Sequence, residues 1–111
     1  MISSIQGIRG YKGNVAYNTA KGGMINMTKV LAVELAEKNI LVNSVAPGYV
    51  DTKMIKVYNS EKELEKIKKI IPLGRFAKPN EIGELIKFLC SEKNSYITGQ
   101  VIPIDGGYLT R

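Results

Sequence analysis

The sequence predicts an α/β chain built on a parallel β-sheet, and three observations carry the prediction. Apolar residues change period along the chain, from strand-like runs to helical spacing and back, in the order strand stub, helix, strand, helices, strand. The segment from Ile40 to Ala46 lacks the apolar/polar alternation of a half-exposed strand, which fits burial on both faces, as in a parallel sheet. The composition is that of a folded protein: 111 residues, 44% hydrophobic and 23% charged, with no apolar run approaching the roughly 18 residues of a membrane span.

Each element has its own signal. Ile2-Ser3-Ser4 reads as a strand stub, broken by Gly7, Gly10 and Gly13. From Val15 to Lys38, Ala16, Ala20, Met24, Met27, Leu31 and Leu35 recur every three or four residues, which predicts a long helix. Thr19, Ala20, Gly22 and Gly23 are small enough to let a neighbouring backbone approach it, and Glu34 and Lys38 form a supporting pair one turn apart. Ile40 to Ala46 is the central strand, stopped by Pro47-Gly48. Met54 to Ile71 is lysine-rich and helical, and Pro72, Gly74 and Pro79 then break the chain. Asn80 is the expected N-cap of a helix from Glu81 to about Ser91, with Ile82, Leu85, Ile86 and Leu89 on one face. Ser95 to Gly99 is a turn, Gln100 to Ile104 a last strand, and Asp105-Gly106-Gly107 ends it. Two strands and a stub cannot cover both faces and edges of a parallel sheet, so the sheet is expected to begin before Met1.

Composition also removes classes of chemistry. Histidine is absent, which excludes Ser-His-Asp and Cys-His catalysis and every His-based metal site. Cys90 is alone, so thiolate zinc sites go as well and no metal site is expected; a single thiol fits a reducing compartment, and the chain is read as cytoplasmic. The formal net charge is +6, but the lysines are spread along the chain, and residues 61–69 alternate in sign like a solvated helix face. Neither a nucleic-acid nor a membrane partner is expected. Any chemistry must run on Tyr, Lys, Ser, Asp or Glu.

Tyr17 and Lys21 lie one helical turn apart on one face. A phenol titrates near about 10, and an ammonium within about 4–6 Å favours its ionised form, so such a pair can work as a general acid/base. Spacing alone is weak evidence, because Tyr49/Lys53 and Tyr58/Lys62 share it. Only Tyr17, however, has a serine 13 residues upstream, Ser4, at a strand end across a glycine-rich loop. A carbonyl held between the Ser4 hydroxyl and the Tyr17 phenol would have its developing alkoxide stabilised and protonated.

Here the sequence resembles the short-chain dehydrogenase/reductase superfamily. Ser3-Ser4-Ile5-Gln6-Gly7 followed by Tyr17-Asn18-Thr19-Ala20-Lys21 is similar to its catalytic serine and Tyr-x-x-x-Lys segments. Asn43 through Thr52 resembles the strand and Pro-Gly turn beside the nicotinamide. Pro72 through Phe76, Glu81-Ile82, Tyr96 through Gln100 and Asp105-Gly106-Gly107 resemble the C-terminal signature. The resemblance spans essentially the whole chain and is nearest to the 3-oxoacyl-[acyl-carrier-protein] reductase or sugar-dehydrogenase type.

The resemblance implies the C-terminal part of a Rossmann-type doubly wound parallel sheet, with the N-terminal dinucleotide-binding half absent. Residues 1–111 would form one partial domain: the Ser/Tyr/Lys segment, the Pro-Gly loop, substrate-covering helices at about 53–71, and the C-terminal helix and strand. It implies NAD- or NADP-dependent interconversion of a small-molecule carbonyl and alcohol, in a homo-oligomer. Tyr17 would be the acid/base, Lys21 would tune it and hold the nicotinamide ribose, and Ser4 would polarise the substrate oxygen. Pro47, Gly48, Val50 and Thr52 would line the nicotinamide site, Val50 through its backbone. No Gly-x-Gly-x-x-Gly occurs; Gly7, Gly10 and Gly13 are spaced as loop hinges, not as a phosphate cradle. The expectation is a catalytic half that needs its other half to act. The alternative is a non-catalytic truncated remnant or an oligomerisation module. Cys90 is expected to pack, Arg75 to tie down a loop, Asp105 to cap the last turn, and Asn18 and Thr19 to serve the helix surface.

Overall fold

The computed structural model describes residues 1–110. Its sheet is parallel and centred on β1 (Ser44–Pro47). β1 pairs with β2 (Val101–Ile104) in the register Ser44↔Val101 to Pro47↔Ile104, and on its other side Val45 forms a parallel bridge with Ile2. Being central, β1 is the most buried segment: Val45 and Ala46 belong to the core, and Ser44 is fully enclosed.

The central strand is shorter than the expected Ile40–Ala46. Asn39 takes a left-handed φ of 55° behind a 3-10 turn at Ala36–Lys38, and side chains then hold the next residues. Val42 N–H donates to Thr98 Oγ1 (3.0 Å), and the Asn43 amide bridges Ile97 O (2.6 Å) and Gln100 N–H (3.1 Å). Ladder pairing starts only at Ser44, whose N–H donates to Gln100 O, while β2 begins at Val101, one residue late.

After Ile2 the chain turns directly into a short helix, α1 (Ile5–Ile8), where a glycine-broken loop is expected. Ser4 caps it by accepting from Gln6 N–H, and Ile5 is buried. α2 (Val15–Glu34) is the long helix, stopping four residues before Lys38. It buries Thr28 and Ala32, and the Thr28 hydroxyl donates back to Met24 O (2.8 Å).

The expected helix from Met54 to Ile71 is two helices, α3 (Lys53–Val57) and α4 (Glu61–Lys69). Ser60 and Glu63 form a capping box that starts α4 afresh: Ser60 N–H donates to Glu63 Oε2 (2.8 Å), and Glu63 N–H to Ser60 Oγ (3.4 Å). α5 (Pro79–Leu89) starts before the expected cap. Lys78, not Asn80, is its N-cap, because Pro79 suits the first helical position and Glu81 accepts the Lys78 N–H (2.7 Å). Cys90 caps the other end and is exposed, not packed as expected. Asp105 does cap the last turn, accepting from Gly107 N–H and Leu109 N–H (both 2.9 Å) ahead of a 3-10 turn at Tyr108–Thr110. Among the described residues no helix is long and apolar enough to cross a membrane.

Candidate active site

Three chain segments leave the sheet at its carboxyl edge, because the three paired segments run parallel. Ser4 follows Ile2, the Pro47–Thr52 turn follows β1, and Asp105–Tyr108 follows β2. In open α/β sheets this edge is where ligands bind.

Ser4 is buried at the head of α1. α1 packs on α2 at Lys21, and the contact is intimate: a Cβ on Gly7 would stand 2.7 Å from the Lys21 carbonyl carbon and oxygen. Ser3, one residue earlier, donates its hydroxyl to Lys21 O (2.8 Å). The Lys21 ammonium donates to Ile2 O (2.9 Å) and lies 5.6 Å from the centre of the Tyr17 ring. Tyr17 itself is 41% exposed. The fold thus joins Tyr17, Lys21 and the Ile2–Ser4 segment in one place, with the charge on Lys21 set over the phenol.

The second group lies on the turn after β1. Gly48 N–H donates to Ile104 O (3.0 Å), and a Cβ there would meet Asp105 Cα at 2.8 Å, so the turn is pressed against the end of β2. Val50 forms a parallel bridge with Ala77 through its neighbours, Ala77 N–H donating to Tyr49 O (2.9 Å) and Asp51 N–H to Ala77 O (2.8 Å). That pattern turns Val50's own N–H and C=O away from Ala77. One donor beside one acceptor matches a primary carboxamide, the group at the end of a nicotinamide. The Val50 N–H and C=O are thus the pair that would meet a carboxamide, and the Lys21 ammonium, beyond its bond to Ile2 O, the donor that would meet ribose hydroxyls. Thr52 caps α3, accepting from Ile55 N–H at 3.5 Å, so its hydroxyl is held by the helix start. Pro47 closes β1. Arg75 ties down its loop through a two-pronged ion pair with Glu81 (2.7 and 2.8 Å) and a bond to Phe76 O (3.0 Å). Among the described residues no cluster of carboxylates or thiols suited to a metal occurs.

Sequence reasoning missed a meeting of three tyrosines, one from each of the three segments. Tyr108 stacks on Tyr11 (6.2 Å between centroids) and meets Tyr49 edge-on (5.5 Å). Burial pushes the phenols of Tyr11 and Tyr49 up. The Tyr11 oxygen is buried beside the Tyr108 hydroxyl without a well-formed hydrogen bond. No local signal reveals such a cluster, because its members are far apart in sequence.

Residues 1–109 match the family model described as enoyl-(acyl carrier protein) reductase. The chain is 53% identical over 106 residues to the 3-oxoacyl-[acyl-carrier-protein] reductase of Aquifex aeolicus, covering 96% of this chain and 42% of that protein. The corresponding enzyme of Thermotoga maritima is 51% identical, with 96% of this chain and 43% of that protein covered. The chain thus spans less than half the length of these curated relatives. Among solved structures, a short-chain dehydrogenase family protein from Francisella tularensis superposes with a TM-score of 0.90 at 39% identity, over 99% of this chain and 50% of that one. A candidate 2-deoxy-D-gluconate 3-dehydrogenase from Agrobacterium tumefaciens, solved with bound NADP, gives 0.94 at 34% identity, over 99% and 45%.

Proposed function

This chain belongs to the short-chain dehydrogenase/reductase family, and from that membership we propose that it carries the catalytic side of an NAD(P)-dependent carbonyl reductase of the 3-oxoacyl type. The observation that supports this most is the Lys21 ammonium 5.6 Å from the Tyr17 ring, on a helix packed against the segment that bears Ser4. A nicotinamide dinucleotide, when bound, supplies the hydride that reduces the carbonyl carbon. The chain's residues handle the rest. The Ser4 hydroxyl donates a hydrogen bond to the substrate oxygen and orients it. Tyr17 passes its phenolic proton to that oxygen as negative charge develops there. Lys21 sets a positive charge beside the phenolate that forms and holds the ribose hydroxyls. In the reverse direction Tyr17 accepts the proton of the alcohol. Val50 fixes the carboxamide through its backbone, Pro47 and Gly48 line the ring, and Thr52 borders the same face.

Residues 1–111 contain no glycine-rich phosphate cradle, so we place pyrophosphate binding, and the choice between NAD and NADP, outside them. The exposed helices α3 and α4 would cover the substrate, residues 1–111 forming one partial domain, in the cytoplasm and in contact with a second copy. The test is to supply the portion that the Aquifex relative has and residues 1–111 lack, then follow nicotinamide oxidation with a 3-oxoacyl thioester. Turnover is expected, and Tyr17→Phe should lower it by about a hundredfold or more. A second reading is favoured by the outer face of α2, where Val15 and Val33 are each 78% exposed: a non-catalytic module that associates through this helix. Stable self-association with no turnover under any supplement would select it.

A further inference from the structure

The three-tyrosine cluster has no part in the reaction above, yet it sits where that reaction is organised. Tyr11 belongs to the loop between Ser4 and Tyr17, and its carbonyl accepts from the side-chain amide of Asn18 (3.2 Å), the residue next to Tyr17. Asn18 also donates to Asn14 O (2.6 Å), so the loop is strapped to the first turn of α2. Tyr49 stands between Gly48 and Val50, and its ring also meets Phe76 at 6.3 Å. The ring of Tyr108 meets both of the other rings, stacked on Tyr11 at an interplanar angle of 21° and edge-on to Tyr49 at 71°.

The turn that carries Tyr108 is itself firmly placed. Its N–H donates to Asp105 O (3.3 Å), the Asp105 carboxylate receives two more amides, and Leu73 N–H donates to Gly106 O (3.1 Å). A Cβ on Gly106, at φ 64°, would stand 2.8 Å from Ile71 Cγ2, so this corner is closely packed.

We propose that Tyr108 is a positioning residue, whose ring sets the spacing between the Tyr17-bearing end of α2 and the Pro47–Val50 turn by packing against Tyr11 and Tyr49 together. The role rests on the reductase reading, in which the first of these carries the proton and the second holds the nicotinamide. Transfer of hydride and proton to one carbonyl requires both groups in register, and a displacement of about 1 Å can cost on the order of a hundredfold in rate. The ring-to-ring contacts are what span the two segments, so the role is assigned to the ring and not to the hydroxyl that lies beside Tyr11.

The experiment compares Tyr108→Leu and Tyr108→Phe in the full chain, supplemented as above, by steady-state kinetics and near-ultraviolet circular dichroism. The chain has no tryptophan, so differences between variants in that band report its tyrosines. Tyr108→Leu should lower kcat about tenfold or more, with KM for the oxoacyl substrate within about threefold, and should weaken the tyrosine band. Tyr108→Phe, which keeps the ring, should restore kcat to within about twofold. Turnover indifferent to Tyr108→Leu, or lost equally in the Phe variant, would overturn the positioning role and leave the reductase reading standing. A wild-type protein with an intact tyrosine band and no hydride transfer would overturn the reductase reading, and the positioning role with it.

Discussion

Glu81 is the residue whose charge is most strongly tied to the fold. The Arg75 guanidinium grips both of its oxygens and the Lys78 N–H adds a third bond, together holding its carboxyl at about 2, well below the ordinary 4.5. A folded-state value lower than the unfolded one means stabilisation that is complete above the unfolded value and is lost as pH falls through the folded one. Glu81 therefore contributes to acid unfolding across the window from about 4.5 down to about 2, with Glu63 and Glu65, also held low by Ser60 and Lys68, adding to the same trend. In Glu81→Gln the fall of melting temperature across that window should be shallower than in the parent. Identical slopes would mean that the pair is solvated away in solution. At this scale the nearness of Lys21 to the Tyr17 ring was legible from their one-turn spacing, although Tyr49/Lys53 and Tyr58/Lys62 share that spacing, and Ser4 was singled out by its distance upstream of Tyr17. Ser3 and the three tyrosines were not, because what distinguishes them is a partner supplied by tertiary structure.

Gly7 shows how one element places another. With a Cβ it would strike the main chain of Lys21 at 2.7 Å and Ser3 Oγ at 2.9 Å, so α1 could not keep its seat on α2. Gly7→Ala should cost about 1–3 kcal/mol by overpacking, read as a lower urea midpoint at unchanged slope. The same substitution at Gly10, where a Cβ would meet nothing within 4 Å, should leave the midpoint nearly unmoved. Equal effects at the two positions would remove the close approach as the cause. α5 was readable because its period is what packs, with Ile82 buried. α2 was readable as a helix, but it packs through Thr28 and Ala32 while Ala16, Ala20 and Met27 stay exposed, so its apolar period does not mark its buried face. α1 was not readable, since three glycines in seven residues look like a hinge until the Ser4 cap is seen. The break at Ser60 was missed, although Ser60-x-x-Glu63 is a capping-box pattern. The late start of β1 was beyond reach, as it depends on Thr98 and Asn43 side chains replacing the ladder.

Taken as a whole, the chain buries little for its size. Its apolar core is Ile5, Ala32, Val45, Ala46, Ile71, Phe76 and Ile82. The radius of gyration is 15.2 Å, against about 13 Å for a compact domain of this length. The expectation that the sheet needs more strands rests on the same arithmetic, since one fully paired strand cannot shield a parallel sheet. A cleft of about 170 Å³ beside the Ile2 edge is lined by Leu41, Val42, Ile86, Leu89 and Cys90, and Ile2 stays 43% exposed. Apolar surface next to an open sheet edge favours association. The 111-residue chain by itself should therefore sediment as species larger than a monomer, in proportions that rise with concentration. Supplying the additional portion of the Aquifex relative gives the prediction a second arm. If that portion covers the Ile2 edge, self-association should fall over the same range of added partner in which turnover appears. Turnover that appears while the self-associated species persist would place the sticky surface elsewhere, with exposed Val15 and Val33 on α2 and Met54 and Val57 on α3 as candidates. A chain that is monomeric at every concentration would show that none of these surfaces is adhesive, and that the small core is sufficient.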